Sequence, residues 1–149
     1  MTLGTKGYQQ LYVDGLTDVS TEAKYNLGTE RIEDGVKYIY VQNTGPLSTA
    51  VGYGQAYHQL CTYVLSTDST AGEMCGGVAV SVIPANSYGW VAKKGPVTVY
   101  STAGLTAQKP IALSTAGVFA DADASSVFVC GQSGATVAGT KSGTVNLDC

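Results

Sequence analysis

One stretch of the sequence decides the fold class: Thr29-Glu30-Arg31-Ile32-Glu33-Asp34-Gly35-Val36-Lys37-Tyr38-Ile39-Tyr40-Val41. It consists of two alternating runs joined by Asp34-Gly35. Asp-Gly in that position is a strong hairpin signal, because glycine reaches a positive φ without strain. In the second run Val36 and Tyr40 fall on one face of a strand, since strand side chains alternate. The stretch predicts an antiparallel β-hairpin and an all-β fold.

Strand-like runs of the same kind recur along the chain, with turn signals roughly every 8–12 residues. The further predicted strands are 57–65, 78–83, 88–93, 97–100, 111–113, 118–120, 127–130 and 144–147. A helix is the alternative for 57–65, and residues 47–56 are predicted as a loop or an irregular edge. Lys94-Gly95-Pro96 is predicted to turn between 88–93 and 97–100 and make a second hairpin. The pattern indicates an antiparallel β-barrel or β-sandwich and does not separate the two, because both share the alternation.

The length of 149 residues fits one domain. Residues 1–20 are polar and glycine-containing apart from Leu11-Tyr12-Val13, so we predict an extended N-terminal arm (1–20) and a single β domain (21–149). Leu11, Tyr12 and Val13 are candidate interface residues. Trp90, the only tryptophan, is either a core anchor or a further interface contact, since interfaces are enriched in tryptophan and tyrosine.

Charge and hydropathy exclude several classes of function. Charged residues make up 13% of the chain and the net charge is -3, whereas about 25% charged residues is usual. The basic residues are scattered and the longest run is Lys93-Lys94, so we expect no nucleic-acid partner. No apolar run approaches the length of a membrane span, so no membrane partner is expected. The first residues lack the apolar core of a signal peptide, and we expect synthesis and folding in a cytoplasm.

The sequence offers little for catalysis. The single histidine, His58, lies in a strand-like run, where a structural role is usual. Cys61 is three residues away, on the opposite face of such a strand, so the two side chains form a poor nucleophile and base. Asp121 and Asp123 resemble a calcium loop only faintly, and turn chemistry is the better interpretation. No nucleophile elbow, phosphate loop or CxxC pair is present, and we expect no enzyme activity, cofactor or metal.

The four cysteines leave their pairing open. Cys61 and Cys130 lie in apolar runs and are expected to be buried thiols. Cys149 could form a disulfide with Cys61, Cys75 or Cys130, or with another chain, once the protein leaves a reducing cytoplasm.

Three segments resemble a known family. They are LGTERIEDGVKYIYVQN at 27–43, YGWVAKKGPVTV at 88–99, and VFVCG at 127–131 followed by VNL at 145–147. In this order and spacing they are similar to the head decoration (capsid cement) proteins of tailed bacteriophages. The four cysteines depart from that pattern.

The resemblance implies a β-barrel or β-sandwich on the outside of an expanded phage head. It implies the major capsid protein as partner, a homotrimer at three-fold positions, and residence in the virion on the capsid surface. The N-terminal arm is expected to reach the capsid or a neighbouring copy. The alternatives are another phage structural part, such as a tail-tube or fibre-associated protein, and a carbohydrate-binding module that uses surface tyrosines and Trp90. An enzyme that uses His58 is a third alternative.

Overall fold

The computed structural model describes residues 12, 14–45, 48–59, 63–66, 75–101, 103–114, 117–123, 129–139 and 141–148. The strands in these ranges are β1 (Glu30–Glu33), β2 (Val36–Asn43), β3 (Gly54–Gln59), β4 (Val64–Ser66), β5 (Cys75–Ala79), β6 (Ser87–Ser101), β7 (Pro110–Leu113), β8 (Phe119–Asp121), β9 (Gly131–Ser133) and β10 (Lys141–Asp148). The same ranges hold no α-helix, and hence no apolar helix of membrane-spanning length. The prediction of an all-β fold is confirmed.

The hairpin predicted at Asp34-Gly35 is confirmed. Strands β1 and β2 pair antiparallel with Glu33 opposite Val36, which leaves two residues in the loop. Asp34 has φ 51° and Gly35 has φ 77°, the two positive values that a type I′ turn requires.

Five strands close a first barrel. Strand β2 pairs with β4, β4 with β3, β3 with β5, β5 with β6, and β6 returns to β2. Its interior is filled by Ile39, Val41, Leu65, Ile83 and Val91, all buried. The architecture is therefore a closed barrel with extra strands, one of the two arrangements that the sequence left open.

The remaining strands close a second ring on the same long strand. Strand β6 pairs with β10, β10 with β9, β9 with β7 and β7 with β8, and a parallel pair, Ser101 and Phe119, joins β8 to β6. Side chains from four of these strands pack with the outer face of the first barrel. They include Val97, Val99, Ile111, Leu113, Phe119, Val145 and Leu147. Strand β6 is thus a wall of both rings.

The second hairpin predicted at Lys94-Gly95-Pro96 is wrong, because β6 runs unbroken from Ser87 to Ser101. Proline is tolerated in β6 because neither neighbouring strand needs an N–H from this position. Asp148 N–H donates to Cys130 O, so the even-numbered residues of β10 direct their backbone N–H and C=O groups towards β9 and away from β6. Asn146, opposite Pro96, therefore needs no N–H from the proline. On the other edge the pairing with β2 ends at Lys94, before the proline.

A bulge in β6 aligns the two halves of the strand. Lys37 lies opposite Lys94 while Tyr38 lies opposite Ala92, so Lys93 is one residue extra. One extra residue reverses the alternation of faces. This explains how Ala92 before the bulge and Val97 after it reach the same core.

Three other predicted strands differ from the structure. Residues 129 and 130, the described part of the predicted strand 127–130, precede β9 and are not in a strand. Part of the predicted strand 57–65 belongs to β3, which begins at Gly54 inside the segment predicted as a loop or an irregular edge, and part to β4. The predicted strand 78–83 ends at Ala79. Side chains hold much of its continuation: Thr49 Oγ1 donates to Ser81 O and accepts Ile83 N–H, and Asn43 Nδ2 donates to Ile83 O. Polar side chains that take backbone groups in this way compete with strand pairing.

Parts of the predictions fall on residues outside those described. These are residues 1–11 and 13 of the arm, 60–62 of the predicted strand 57–65, and 127–128 of the predicted strand 127–130. Within the described part of the arm, Ser20 forms an isolated antiparallel bridge with Tyr88. The division at residue 20 stays a prediction.

Candidate functional site

An aromatic cluster covers the outer face of the first barrel. Tyr40 of β2 lies opposite Trp90 of β6, so both side chains point to the same face, and their ring centroids are 5.1 Å apart. Tyr25 packs against both, at 5.2 Å from Tyr40 and 5.5 Å from Trp90. We call Tyr25, Tyr40 and Trp90 the aromatic socket. Edge-to-face and tilted contacts at these distances are the favourable arrangements of aromatic rings.

Tyr12 is seated on the aromatic socket. Its ring meets Trp90 edge-on, with centroids 5.4 Å apart and planes at 84°, and lies 5.8 Å from Tyr25. Its hydroxyl donates to the carbonyl oxygen of Glu30. Tyr12 thereby shields Trp90, which is 0% exposed.

Arg31 of β1 holds Tyr12 in place. Its guanidinium carbon lies 4.8 Å from the Tyr12 ring centroid and 5.8 Å from that of Trp90, both within range of a cation–π attraction. Nη1 donates to Asp14 O at 2.9 Å, and Nη2 lies 2.6 Å from Glu33 Oε2. The side chain is only 14% exposed. This one side chain contacts Asp14 of the N-terminal segment, the aromatic socket and Glu33 of the β1–β2 hairpin.

Hydrogen bonds complete the polar rim of the socket. The Tyr25 hydroxyl donates to Asp14 Oδ1 at 2.6 Å, and the Tyr40 hydroxyl accepts the N–H of Lys24 at 3.2 Å. Burial raises the pKa of Tyr40. The Lys24 N–H opposes that shift and the negative charge of Asp14 adds to it. Tyr40 therefore keeps its proton to a higher pH than a free tyrosine.

The structure brings together two of the predicted interface residues, Tyr12 and Trp90, whereas Leu11 and Val13 lie outside the described residues. Trp90 occupies the core position weighed in the sequence analysis, and the chain's own residues cover it. A partner could touch Trp90 only if Tyr12 moved away, so an interface role for either residue stays a prediction.

Sequence reasoning did not find Tyr25, Asp14 or Arg31. Their spacing along the chain gives no signal of proximity. Only the pairing of β2 with β6 places Tyr40 beside Trp90, and only the β1–β2 hairpin brings Arg31 to them.

Two of the predicted disulfide residues are described. Cys75 and Cys130 are both buried in the core of the second ring, while Cys61 and Cys149 lie outside the described residues. Their pairing stays open. His58 lies in β3.

The Asp121 carboxylate, considered above as part of a calcium loop, makes contacts with two neighbouring residues of the fold. Its carboxylate accepts Thr106 N–H at 2.8 Å and lies 3.9 Å from Lys109 Nζ. Burial acts to raise the pKa of Asp121, but the Thr106 hydrogen bonds and the Lys109 charge outweigh it, so the pKa is lowered. Across the described ranges, no group of three or more His, Cys, Asp or Glu side chains could hold a metal ion.

Several valines of the described residues are exposed, among them Val19, Val51 and Val82. Val19 and Ile83 both pack where a side chain at Gly89 would lie, and Val82 is next to Ile83 in the chain. Residues 49–52 run alongside 79–83, held by Thr49 N–H to Ile83 O and Gly52 N–H to Ala79 O, and carry Val51. We call Val19, Val51 and Val82 the valine set; they are 40%, 59% and 54% exposed.

Comparisons with known proteins address the fold. No protein-family model matches the sequence, and no curated protein matches it. Among solved structures, the chain is similar to the N base of the head fiber protein gp8.5 of bacteriophage phi29. The TM-score is 0.58 at 12% identity, over 74% of this chain and 94% of that one. At this identity the likeness shows a shared fold.

Proposed function

We propose that this protein is a structural, non-enzymatic component of a bacteriophage head. More specifically, it is a decoration (cement) protein that binds the outside of the expanded shell. The observation that carries the proposal is the fold, which is shared with the N base of a phage head fiber. Since 94% of that chain is aligned, almost the whole of that base has a counterpart here.

The sequence resemblance supports the same proposal independently. Two of the segments similar to head decoration proteins, 27–43 and 88–99, contain β1, β2 and most of β6. Strands β2 and β6 pair from Lys37 to Asn43. The resemblance therefore concentrates on one continuous wall of the first barrel.

The proposed mechanism is selective binding. A protein that binds the expanded shell and not the immature one stabilises the expanded state by mass action. If the copies form a closed trimer, each shell contact needs only modest strength, because the three contacts act together.

The candidate for the shell contact is the valine set, and Val82 is its test position. Single exposed valines are ordinary on protein surfaces, and a partner that covers them removes their apolar area from water. Ile32, 75% exposed on the edge strand β1, lies on a separate element and provides a control.

The test is cosedimentation of the purified protein with expanded and with immature heads from which accessory proteins have been stripped. We expect saturable binding to expanded heads only. Val82→Asp should weaken that binding at least tenfold, whereas Ile32→Asp should leave it within about twofold, since about 1.4 kcal/mol corresponds to a factor of ten. Absence of binding to either kind of head would contradict the head-protein proposal.

A second candidate, the base of a head fibre, is favoured by the same structural likeness. Labelling of assembled virions with antibody against the chain separates the two. Label over the whole shell supports decoration, and label only at the roots of projecting fibres supports a fibre base.

A further inference from the structure

We propose that Tyr53 and Tyr100, which we call the tyrosine pair, form an oxidative cross-linking site at which peroxide-driven oxidation joins the two phenol rings as dityrosine. The bond would fasten residues 50–53 to strand β6. The inference concerns a modification within one chain, so it does not depend on binding to a phage head.

The two rings of the pair are stacked. Their centroids are 4.9 Å apart and their planes lie at 13° to each other. Burial raises the pKa of Tyr53, and the Tyr100 hydroxyl raises it further through its charge and through a side-chain hydrogen bond. Both effects require the two hydroxyl groups to lie at the same end of the stack. The ring carbons next to the hydroxyls, at which tyrosyl radicals couple, therefore lie side by side.

The backbone keeps the two rings together. Tyr100 N–H donates to Gly52 O at 2.8 Å, so β6 is bonded directly to the residue that precedes Tyr53. Ala79 N–H donates to Tyr53 O at 3.0 Å, and Gly52 N–H donates to Ala79 O at 2.9 Å. Both tyrosine side chains are half-buried, which leaves part of each ring accessible to a small oxidant.

Other tyrosine contacts of the described residues lack this combination of stacking and exposure. Tyr25 meets Tyr12 and Tyr40 edge-on. Tyr40 and Tyr88 are stacked, but their centroids are 6.2 Å apart and Tyr40 is only 1% exposed. We therefore expect the tyrosine pair to be the position of the link within one chain.

The reaction balances with hydrogen peroxide as the oxidant and a peroxidase as its catalyst. Each phenol gives up one electron and one proton, and the two radicals form a carbon–carbon bond between ring positions next to the hydroxyls. The hydrogen on each bonded carbon then moves as a proton to the phenolic oxygen. One hydrogen peroxide is reduced to two waters, and the chain loses two hydrogen atoms.

The cross-link would close a long loop of the chain. That loop, from residue 53 to residue 100, contains β3, β4, β5 and most of β6, which are four of the five strands of the first barrel. A covalent link across a long loop restricts the unfolded chain and thereby stabilises the folded one. Oxidation at the tyrosine pair would therefore strengthen the first barrel.

The test is treatment of the dilute, full-length protein with peroxidase and hydrogen peroxide, followed by isolation of the monomeric product. We expect an intact mass lower by two hydrogen atoms, together with the fluorescence of dityrosine. Trypsin cleaves after Lys94 and Lys109, and Tyr100 is the only tyrosine between them. Digestion should give this fragment linked to residues 38–93, and tandem mass spectrometry should place the bond on Tyr53.

Three variants provide the controls. Tyr53→Phe and Tyr100→Phe should each abolish the link in the monomer, and since phenylalanine keeps the ring, they test the phenol rather than the fold. Tyr88→Phe removes one hydroxyl from the other stacked pair and should leave the yield unchanged. The cross-linked wild-type protein should melt at a higher temperature than the untreated one. A link that survives Tyr100→Phe, or an oxidised monomer in which Tyr100 stays unlinked, would overturn the proposal.

Discussion

At the scale of single residues, Arg31 has the most connected position in the candidate site. Its guanidinium contacts two aromatic rings, a backbone carbonyl and the Glu33 carboxylate while remaining mostly buried. Removal of the Arg31 side chain would take away a donor to Asp14 O and the positive charge beside the Glu33 carboxylate. Loss of such a partner is costly where the remaining polar group is buried.

Replacement of Arg31 by methionine, which keeps much of the apolar stem, should lower the free energy of unfolding by about 1–3 kcal/mol. Urea titration followed by Trp90 fluorescence measures the change. Lys24→Met, at an exposed position, is the control and should change stability by less than about 0.5 kcal/mol. Equal effects for the two variants would show that the Arg31 contacts contribute little.

The raised pKa of Tyr40 predicts that the free energy of unfolding depends on pH in the alkaline range. Its folded pKa is raised above the ordinary tyrosine value of 10.0, chiefly by burial, and burial likewise raises the pKa of Tyr38. Well below pH 10.0 both the folded and the unfolded chain keep these protons, so stability is unaffected. Above it the unfolded chain ionises first, and stability falls as pH rises.

The measurement is the free energy of unfolding from about pH 8 to pH 11. We expect a plateau followed by a decline, with a shallower decline in Tyr40→Phe. The comparison uses slopes, because this variant also loses the bond from Lys24 at every pH. Parallel slopes would exclude a contribution from Tyr40.

At the scale of secondary-structure elements, β6 shows what the sequence could and could not predict. The hairpin at Asp34-Gly35 was predictable because its signal is local: two residues that tolerate positive φ between alternating runs. The strands near 111–113, 118–120 and 144–147 were predictable because their signals, short apolar runs bounded by turn residues, are also local. Gly95-Pro96 carries an equally strong local turn signal, yet β6 continues through it, since the position of the proline in the ladder depends on β10 and β2.

Gly95 is also the point where β6 meets the β1–β2 turn. It has φ 109°, and an added Cβ would lie 2.5 Å from Gly35 O, which is backbone and cannot move aside. Gly95→Ala should therefore lower stability by more than about 3 kcal/mol. Gly139→Ala separates the penalty for a positive φ from the steric clash with Gly35 O. Gly139 has φ 64° and open space around it, so only the conformational penalty of about 1–2 kcal/mol applies. Similar losses in both variants, measured by urea titration, would argue against the close approach.

At the scale of the whole molecule, the first barrel and the second ring share both a strand and a core. Ala92 of the first barrel packs in the same cluster as Val145 and Leu147 of β10. Neither ring can lose β6 without opening the other, so the two should unfold together.

Hydrogen-exchange mass spectrometry tests this cooperativity. The slowest amides of β2, in the first barrel, and of β10, in the second ring, should exchange with the same opening free energy. Their protection should fall in parallel as denaturant is added. A clear gap between the two strands would show that one ring opens while the other stays folded.

The unbroken course of β6 also has a mechanical consequence. A load that enters at one ring and leaves at the other passes along the covalent backbone of a single strand. The ladders with β2 and β10 flank successive halves of that strand and resist sliding along their length, so many hydrogen bonds must yield at once rather than one after another. Had Gly95-Pro96 formed a turn, the same pull would have opened a hairpin from its end. Strand β6 therefore carries tensile load between the first barrel and the second ring.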